Sequence, residues 1–299
     1  MVIRSEAAVS NPLKGMLLLV CAFFMFAFND AGAKYLVLAD VHPVFVNWMR
    51  FFTHGVLAVV ILRPWVNSDR FRVGNMRLQL FRGVVLFVSG ILSFSSLLTL
   101  QLVEFVAIFF AAPIWVTLLA RLVLKESLDW MRIVAVVIGF GGVIIISRPG
   151  MGVLGIGHVM AFAATLAYGV FIIATRLLTA TESHESLFVM PPLVAIVLGL
   201  PALPFVGSLP PDGFYLSILL SLGAFGAIGH WLLIHAYRIA PASFLAPFIY
   251  VHMIWTVIFG YIIFDSLPDA WTIAGTLTIV ASGLLLVASE RKGRAKALR

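Results

Sequence analysis

The chain has 299 residues, of which 62% are hydrophobic and 11% charged, with a mean hydropathy of +1.09 and a net charge of +7. A soluble domain is nearer half apolar and a quarter charged, so this excess of apolar side chains excludes an ordinary water-facing fold and implies a lipid solvent. The bases cluster at the ends of apolar runs rather than in a stripe, which argues against a nucleic-acid partner, and the single cysteine, Cys21, excludes an internal disulfide or a cysteine-held metal cluster.

A bilayer core about 30 Å thick needs roughly 20 apolar residues of helix. Ten such runs follow one another, at 13–35, 43–62, 78–98, 103–122, 130–147, 154–177, 186–205, 212–238, 242–264 and 269–289. The first also resembles a signal peptide, with Lys14, an apolar run to Phe28 and Ala31-Gly32-Ala33. The nine further spans and the later recurrence of the same segment favour a membrane helix. Between runs stand breakers such as "RPWVNSDRFRVGNMR", "SRPGMG", "TATESHES", "GSLPPDG" and "FDSLPD". Lipid offers no partner to a backbone amide, so each run is predicted to be helical; a barrel would alternate in ten-residue segments.

The spans repeat. Displaced by 142 positions, Gly15, Ala22, Lys34 and His42 fall on Gly157, Ala164, Arg176 and His184. Displaced by 139, Gly90 and Glu126 fall on Gly229 and Asp265, and after a two-residue insertion Trp130 and Gly142 fall on Trp271 and Gly283. The predicted architecture is an all-α integral membrane protein, ten transmembrane helices in two five-helix repeats, 1–149 and 150–299, the second ending in a short basic tail. Five is odd, so the second copy enters the membrane the other way up. With both termini in the cytoplasm, seventeen of the 20 Lys and Arg lie at cytoplasmic ends, only Lys34 and Arg148 lie outside, and Arg50 alone lies within a span. That asymmetry follows the positive-inside rule. It also explains why the turn "KESLDW" is ringed by bases while its twin "FDSLPDAW" has none.

Ten spans, inverted halves and an E/D-S-L turn before each half's last helix resemble the drug/metabolite transporter superfamily, in its EamA-type members. "NDAGAKYL" (29–36), "MRFF" (49–52) and "LFRGVVLF" (80–87) further resemble the bacterial subset that includes S-adenosylmethionine and riboflavin carriers. The likeness to aromatic amino-acid exporters is weaker. The resemblance implies a secondary transporter of the bacterial inner membrane, not an enzyme, that moves a small organic metabolite by alternating access. It also implies that helices 1–4 and 6–9 line the pathway while 5 and 10 stand outside it. A planar or nucleoside-like solute such as riboflavin or S-adenosylmethionine ranks ahead of an amino acid or drug. Outside this class stand an intramembrane enzyme, with Asp30 and His252 as its one acid-base pair, and a non-transporting scaffold. No Walker loop is present. The expected partners are a small-molecule substrate and the lipid bilayer; no nucleic acid, cofactor or metal is expected, and monomer or homodimer is left open.

Polar groups inside spans are costly and so are functional candidates. Asp30 in helix 1 and Arg50 in helix 2 lie at similar depth and are expected to pair, either to tie the helices or to leave Arg50 to receive a carboxylate, with Asn29 adding a hydrogen bond. His252 and His230 lie near the midplane, where an imidazole can bond a solute or carry a proton. Trp115, Tyr168, Trp231, Tyr250 and Trp255 complete the expected site as aromatic faces with polar tips. Arg82, at the inner end of helix 3, is expected to snorkel, and the in-span prolines Pro113, Pro191, Pro192 and Pro247 to bend their helices.

Overall fold

A computed structural model describes residues 12–297 except 64, 67–70, 126–129, 149–153, 180, 208, 209, 211, 241–244, 246, 247 and 249. Among the described residues every regular element is helical. In chain order these are α1 (Pro12–Leu38), α2 (Pro43–Leu62), α3 (Met76–Ser96), α4 (Leu102–Phe109), α5 (Ala112–Val123), α6 (Trp130–Ser147), α7 (Ile156–Leu178), α8 (His184–Gly199), α9 (Gly213–Ile239), α10 (Val251–Phe264) and α11 (Ala270–Ala297). Seven spans are long and apolar enough to cross a bilayer, with α4 and α5 counted as one and α8 counted with the 3-10 turn Leu200–Ala202 and the short helix Leu203–Val206 that follow it. Three shorter apolar helices, Ile133–Ser147, Val251–Phe264 and Ala270–Leu285, fall on the fifth, ninth and tenth predicted spans. The turn carrying Glu126 and Asp129 and most of 241–249, including Pro247, lie outside the described residues.

The fourth span is broken where the sequence reads as continuous. α4 ends at Phe109 and α5 begins at Ala112, with Pro113 in its first turn. Proline has no amide hydrogen to donate and is tolerated at a helix start, so the apolar run stays apolar while its backbone ladder is interrupted. Pro191 and Pro192, by contrast, sit inside α8 without dividing it.

The packing has the symmetry of an inverted duplication. α1 lies along α9, the third span of the second repeat; α7, the first span of the second repeat, lies along α3. Likewise α2 packs on α9 as α8 packs on α3, and α1 on α10 as α7 on α4 and α5. The self-equivalent pairs α2/α8 and α6/α11 close the arrangement. Gly15, at the start of α1, abuts Ala236 and Ala240 at the end of α9, while Gly157, at the start of α7, abuts Ser96, Thr99 and Leu100 at the end of α3. Because successive spans alternate in direction, those two contacts sit at opposite ends of the bundle.

Side chains pin these pairs. Arg82 is buried, not snorkelled: Nη2 donates to the carbonyl of Leu187 at 2.7 Å and Nη1 to Thr175 Oγ1 at 3.4 Å, tying α3 to α7 and α8. These two bonds offset part of the cost of burying a guanidinium, although Nε has no partner. At the same end, Glu182 Oε1 accepts the amides of Gly74 and Asn75, each at 2.8 Å, and so caps the start of α3.

Candidate functional site

The polar residues at mid-depth converge on the space enclosed by α1, α2, α7, α9 and α10. Arg50 and His54 are one turn apart on α2 and therefore share a face. The close approach of α9 presents this face to the interior. Gly223 lies so near that a Cβ there would stand 2.5 Å from both the Arg50 carbonyl oxygen and the His54 amide nitrogen. One turn along α9, Gly226 and then His230 face open space. A Cβ at Gly226 would meet nothing nearer than Asn29 Nδ2 at 3.8 Å. His230 is exposed although Phe26 lies 5.0 Å from its ring and His54 6.3 Å.

Arg50 is held from three sides. Nη2 donates to Asn47 Oδ1 at 3.1 Å, and Asn47 in turn donates to the Phe87 carbonyl at 3.1 Å. The guanidinium carbon lies 4.5 Å from the Phe51 ring centre and 5.0 Å from that of Phe94. Nε is buried and has no hydrogen-bond partner. Asp30 and Tyr168 are close enough to act on its charge.

The predicted Asp30–Arg50 pair does not form as a direct contact. Asp30 Oδ2 instead lies 3.5 Å from His252 Nε2, linking α1 to α10. Phe23 and Phe110 flank the His252 ring at 5.7 and 5.9 Å, so the break between α4 and α5 sits beside this pair. Depth alone placed Asp30 level with Arg50, but the azimuth of Asp30 turns it toward α10.

The other expected residues divide. Tyr168 stacks near Phe109 at 5.1 Å and within electrostatic reach of Arg50. Asn29 is buried and donates to the Leu222 carbonyl at 2.6 Å, a tie between α1 and α9. Trp255 meets Phe24 edge-on at 5.1 Å with its Nε1 unpartnered. Trp115 lies between Phe140 and Phe162, on the flank of α5 toward α6 and α7. Tyr250 donates to the Val280 carbonyl at 3.2 Å, which commits it to α11. Trp231 is 53% exposed and stacks on His235 at 4.0 Å, away from the Arg50 cluster. Adjacent helix positions differ by about 100° in azimuth, so with His230 facing His54 Trp231 turns aside.

His54, Asn47 and Phe94 join the site without having been singled out from sequence. The available signal was the spacing Arg50-x-x-x-His54, which puts both on one face of a helix already read as transmembrane.

The fold and this interior define a class: a polytopic helical carrier with inverted repeats and a polar, aromatic-lined centre. Two copies of the EamA-like transporter family model match the chain, at residues 13–148 and 155–288, and the chain belongs to that family. It is 26% identical to the S-adenosylmethionine uptake transporter of Rickettsia prowazekii over 290 residues, covering 95% of this chain and 96% of the relative. It is 28% identical to the riboflavin transporter of Brucella anthropi over 248 residues, covering 80% and 87%. One solved crystal structure matches with a TM-score of 0.61 at 16% identity, covering 92% of this chain and 97% of the other, a likeness of fold.

Proposed function

We propose that this chain is a secondary transporter of the bacterial inner membrane, with both termini cytoplasmic, that carries an unmodified planar or nucleoside-like metabolite such as S-adenosylmethionine or riboflavin. The observation that supports this best is the convergence of Arg50, His54, Asp30, Tyr168, His230 and His252, drawn from both repeats, on one region between the helices. Inverted-repeat carriers place their solute site at that interface, and their two halves rock about it. The broken span beside His252 fits the same plan, since irregular backbone at membrane depth is tolerated where it lines a cavity. The relatives that carry S-adenosylmethionine and riboflavin supply the solute candidates. A repeat boundary near residues 149 and 150 gives each half five spans and puts the basic ends on one side.

The test is flux of radiolabelled S-adenosylmethionine and of riboflavin into proteoliposomes containing the purified chain. Saturable accumulation of one of them, recovered chemically unchanged, is the expected result. Absence of flux for both removes the solute assignment, and recovery of a product instead of the solute points to catalysis.

A further inference from the structure

The interior is electrically unbalanced. Asp30 is its one carboxylate among the residues described above, and His252 holds it at 3.5 Å. Arg50 donates to a neutral amide oxygen, Asn47 Oδ1, and its Nε has no acceptor. One turn along α2, His54 Nε2 is also buried and unpartnered. The His54 ring leans against Phe188 at 5.0 Å and faces the His230 ring at 6.3 Å. A buried guanidinium without an acidic partner is costly, as is each buried donor left without an acceptor. Three nitrogen-bearing side chains thus stand on facing helices, two of them with a nitrogen that has no hydrogen-bond partner and one exposed.

We propose that Arg50, His54 and His230 form a carboxylate subsite, and that the transported solute carries a carboxylate which this subsite holds between α2 and α9. The proposal rests on the transport reading above and narrows it. A planar anion accepts from a guanidinium in a fixed fork and can take a further bond from an imidazole. Phe51 and Phe94 keep the guanidinium in place. The Asp30–His252 pair lies within electrostatic reach of Arg50 and offers the opposite pole to any cationic group on the same solute. An amino-acid-like end thus fits this interior, and S-adenosylmethionine has one. Riboflavin has no carboxylate and would offer Arg50 only neutral carbonyl and hydroxyl oxygens.

The experiment compares acids with their amides on the full chain, purified in detergent and followed by thermal unfolding. The probes are S-adenosylmethionine and its carboxamide, methionine and methioninamide, and riboflavin. Ligand that binds only the folded state raises the midpoint by mass action. Expected is an affinity about tenfold or more greater for an acid than for its amide, the equivalent of one charge-assisted hydrogen bond. In His54→Asn that ratio falls, since one of the donors to the acid is lost while Arg50 remains. The acid-amide comparison on the unaltered protein stands even where a variant fails to fold. Equal affinity for acid and amide overturns the subsite and leaves those nitrogens to water. Stabilisation by riboflavin without any by the acids overturns it too, as does stabilisation by neither acid. Either result leaves a carrier with demonstrated flux of another solute intact, whereas loss of all flux defeats the transport assignment itself.

Discussion

At the scale of single residues, small side chains matter as much as charged ones because they fix where the charges stand. A Cβ at Gly90 would lie 2.2 Å from Asn47 Oδ1 and 3.0 Å from Arg50 Nη2. Gly90→Ala therefore displaces the amide that positions Arg50. The expected outcome is a roughly tenfold rise in the KM for transport, the loss of about one hydrogen bond to solute, with thermal stability falling by less than Arg50→Ala causes. Glu182 gives a prediction in pH. Partial desolvation acts to raise its pKa, but the amides of Asn75 and Gly74 and the contacts of Gln79 and Ser186 outweigh it and hold the group below its usual 4.5. A carboxylate depressed in the folded state stabilises fully above its unfolded pKa, and that contribution is lost as pH falls through the folded value. Thermal unfolding should show Glu182→Ala costing about 1 kcal/mol at neutral pH, typical of a lost cap, with the difference from the parent shrinking below pH 4.5. Of these residues the sequence made Arg50, Asp30, His230 and His252 legible, because an ionisable group inside an apolar run stands out. His54 was hidden among polar and small neighbours. Trp231 was misleading because composition reports what a helix contains and azimuth decides what it faces.

At the scale of helices, the spans were legible because hydropathy is set by the solvent, and every predicted run carries helix among its described residues, the fourth as two helices and the seventh with a 3-10 turn at Leu200–Ala202. The break in the fourth span was not legible, since α4 and α5 are both apolar and Pro113 is as acceptable at the start of a helix as it is disruptive within one. Partner choice was also invisible: nothing in α1 says that it packs along α9. The contact that seats the site is the crossing of α9 over α2 at Gly223. A Cβ there meets Arg50 O, His54 N and Thr53 Cβ at 2.5 Å, and two of these are backbone atoms that cannot swing aside. Gly223→Ala is expected to cost about 1–3 kcal/mol, the usual range for overpacking, and to weaken solute binding in the fraction that folds. Gly226→Ala, three residues from Gly223 and with only Asn29 Nδ2 within 4 Å, should not lower the midpoint. Helix propensity favours alanine at both positions, so equal destabilisation by the two variants would mean that the α2 crossing does not govern this stretch.

At the scale of the molecule, a cluster of hydrogen bonds joins the two interleaved bundles at one end. α1, α2, α9 and α10 form one bundle, and α3, α4, α5, α7 and α8 the other. Among the described residues three side chains of the first donate to backbone carbonyls of the second: Lys34 to Leu100, Asn47 to Phe87 at 3.1 Å and Trp48 to Ile196 at 2.8 Å. All three donors lie within about a turn and a half of the end where α1 finishes and α2 starts. The repeat equivalent of Lys34 at the other end, Arg176, is exposed. Lys34 is one of the two bases that depart from the charge bias, and its burial beside Leu100 and over the Phe264 ring at 5.3 Å gives a reason for a lysine there. The end bearing Leu38 and Leu98 is thus latched by these three bonds. Removing a hydrogen bond to a charged group costs about 1.5–3 kcal/mol, enough to shift a two-state equilibrium by roughly tenfold or more. Lys34→Met should therefore favour opening at the latched end. With Cys21 replaced by serine, spin labels at Leu38 and Leu98 should report a longer mean separation in Lys34→Met than in the parent, and labels at Ile61 and Leu177 a shorter one. Rocking about a central site requires the two changes to be opposite in sign. Lengthening at both ends would describe a loosened bundle, and no change at either would reduce Lys34 to a packing residue.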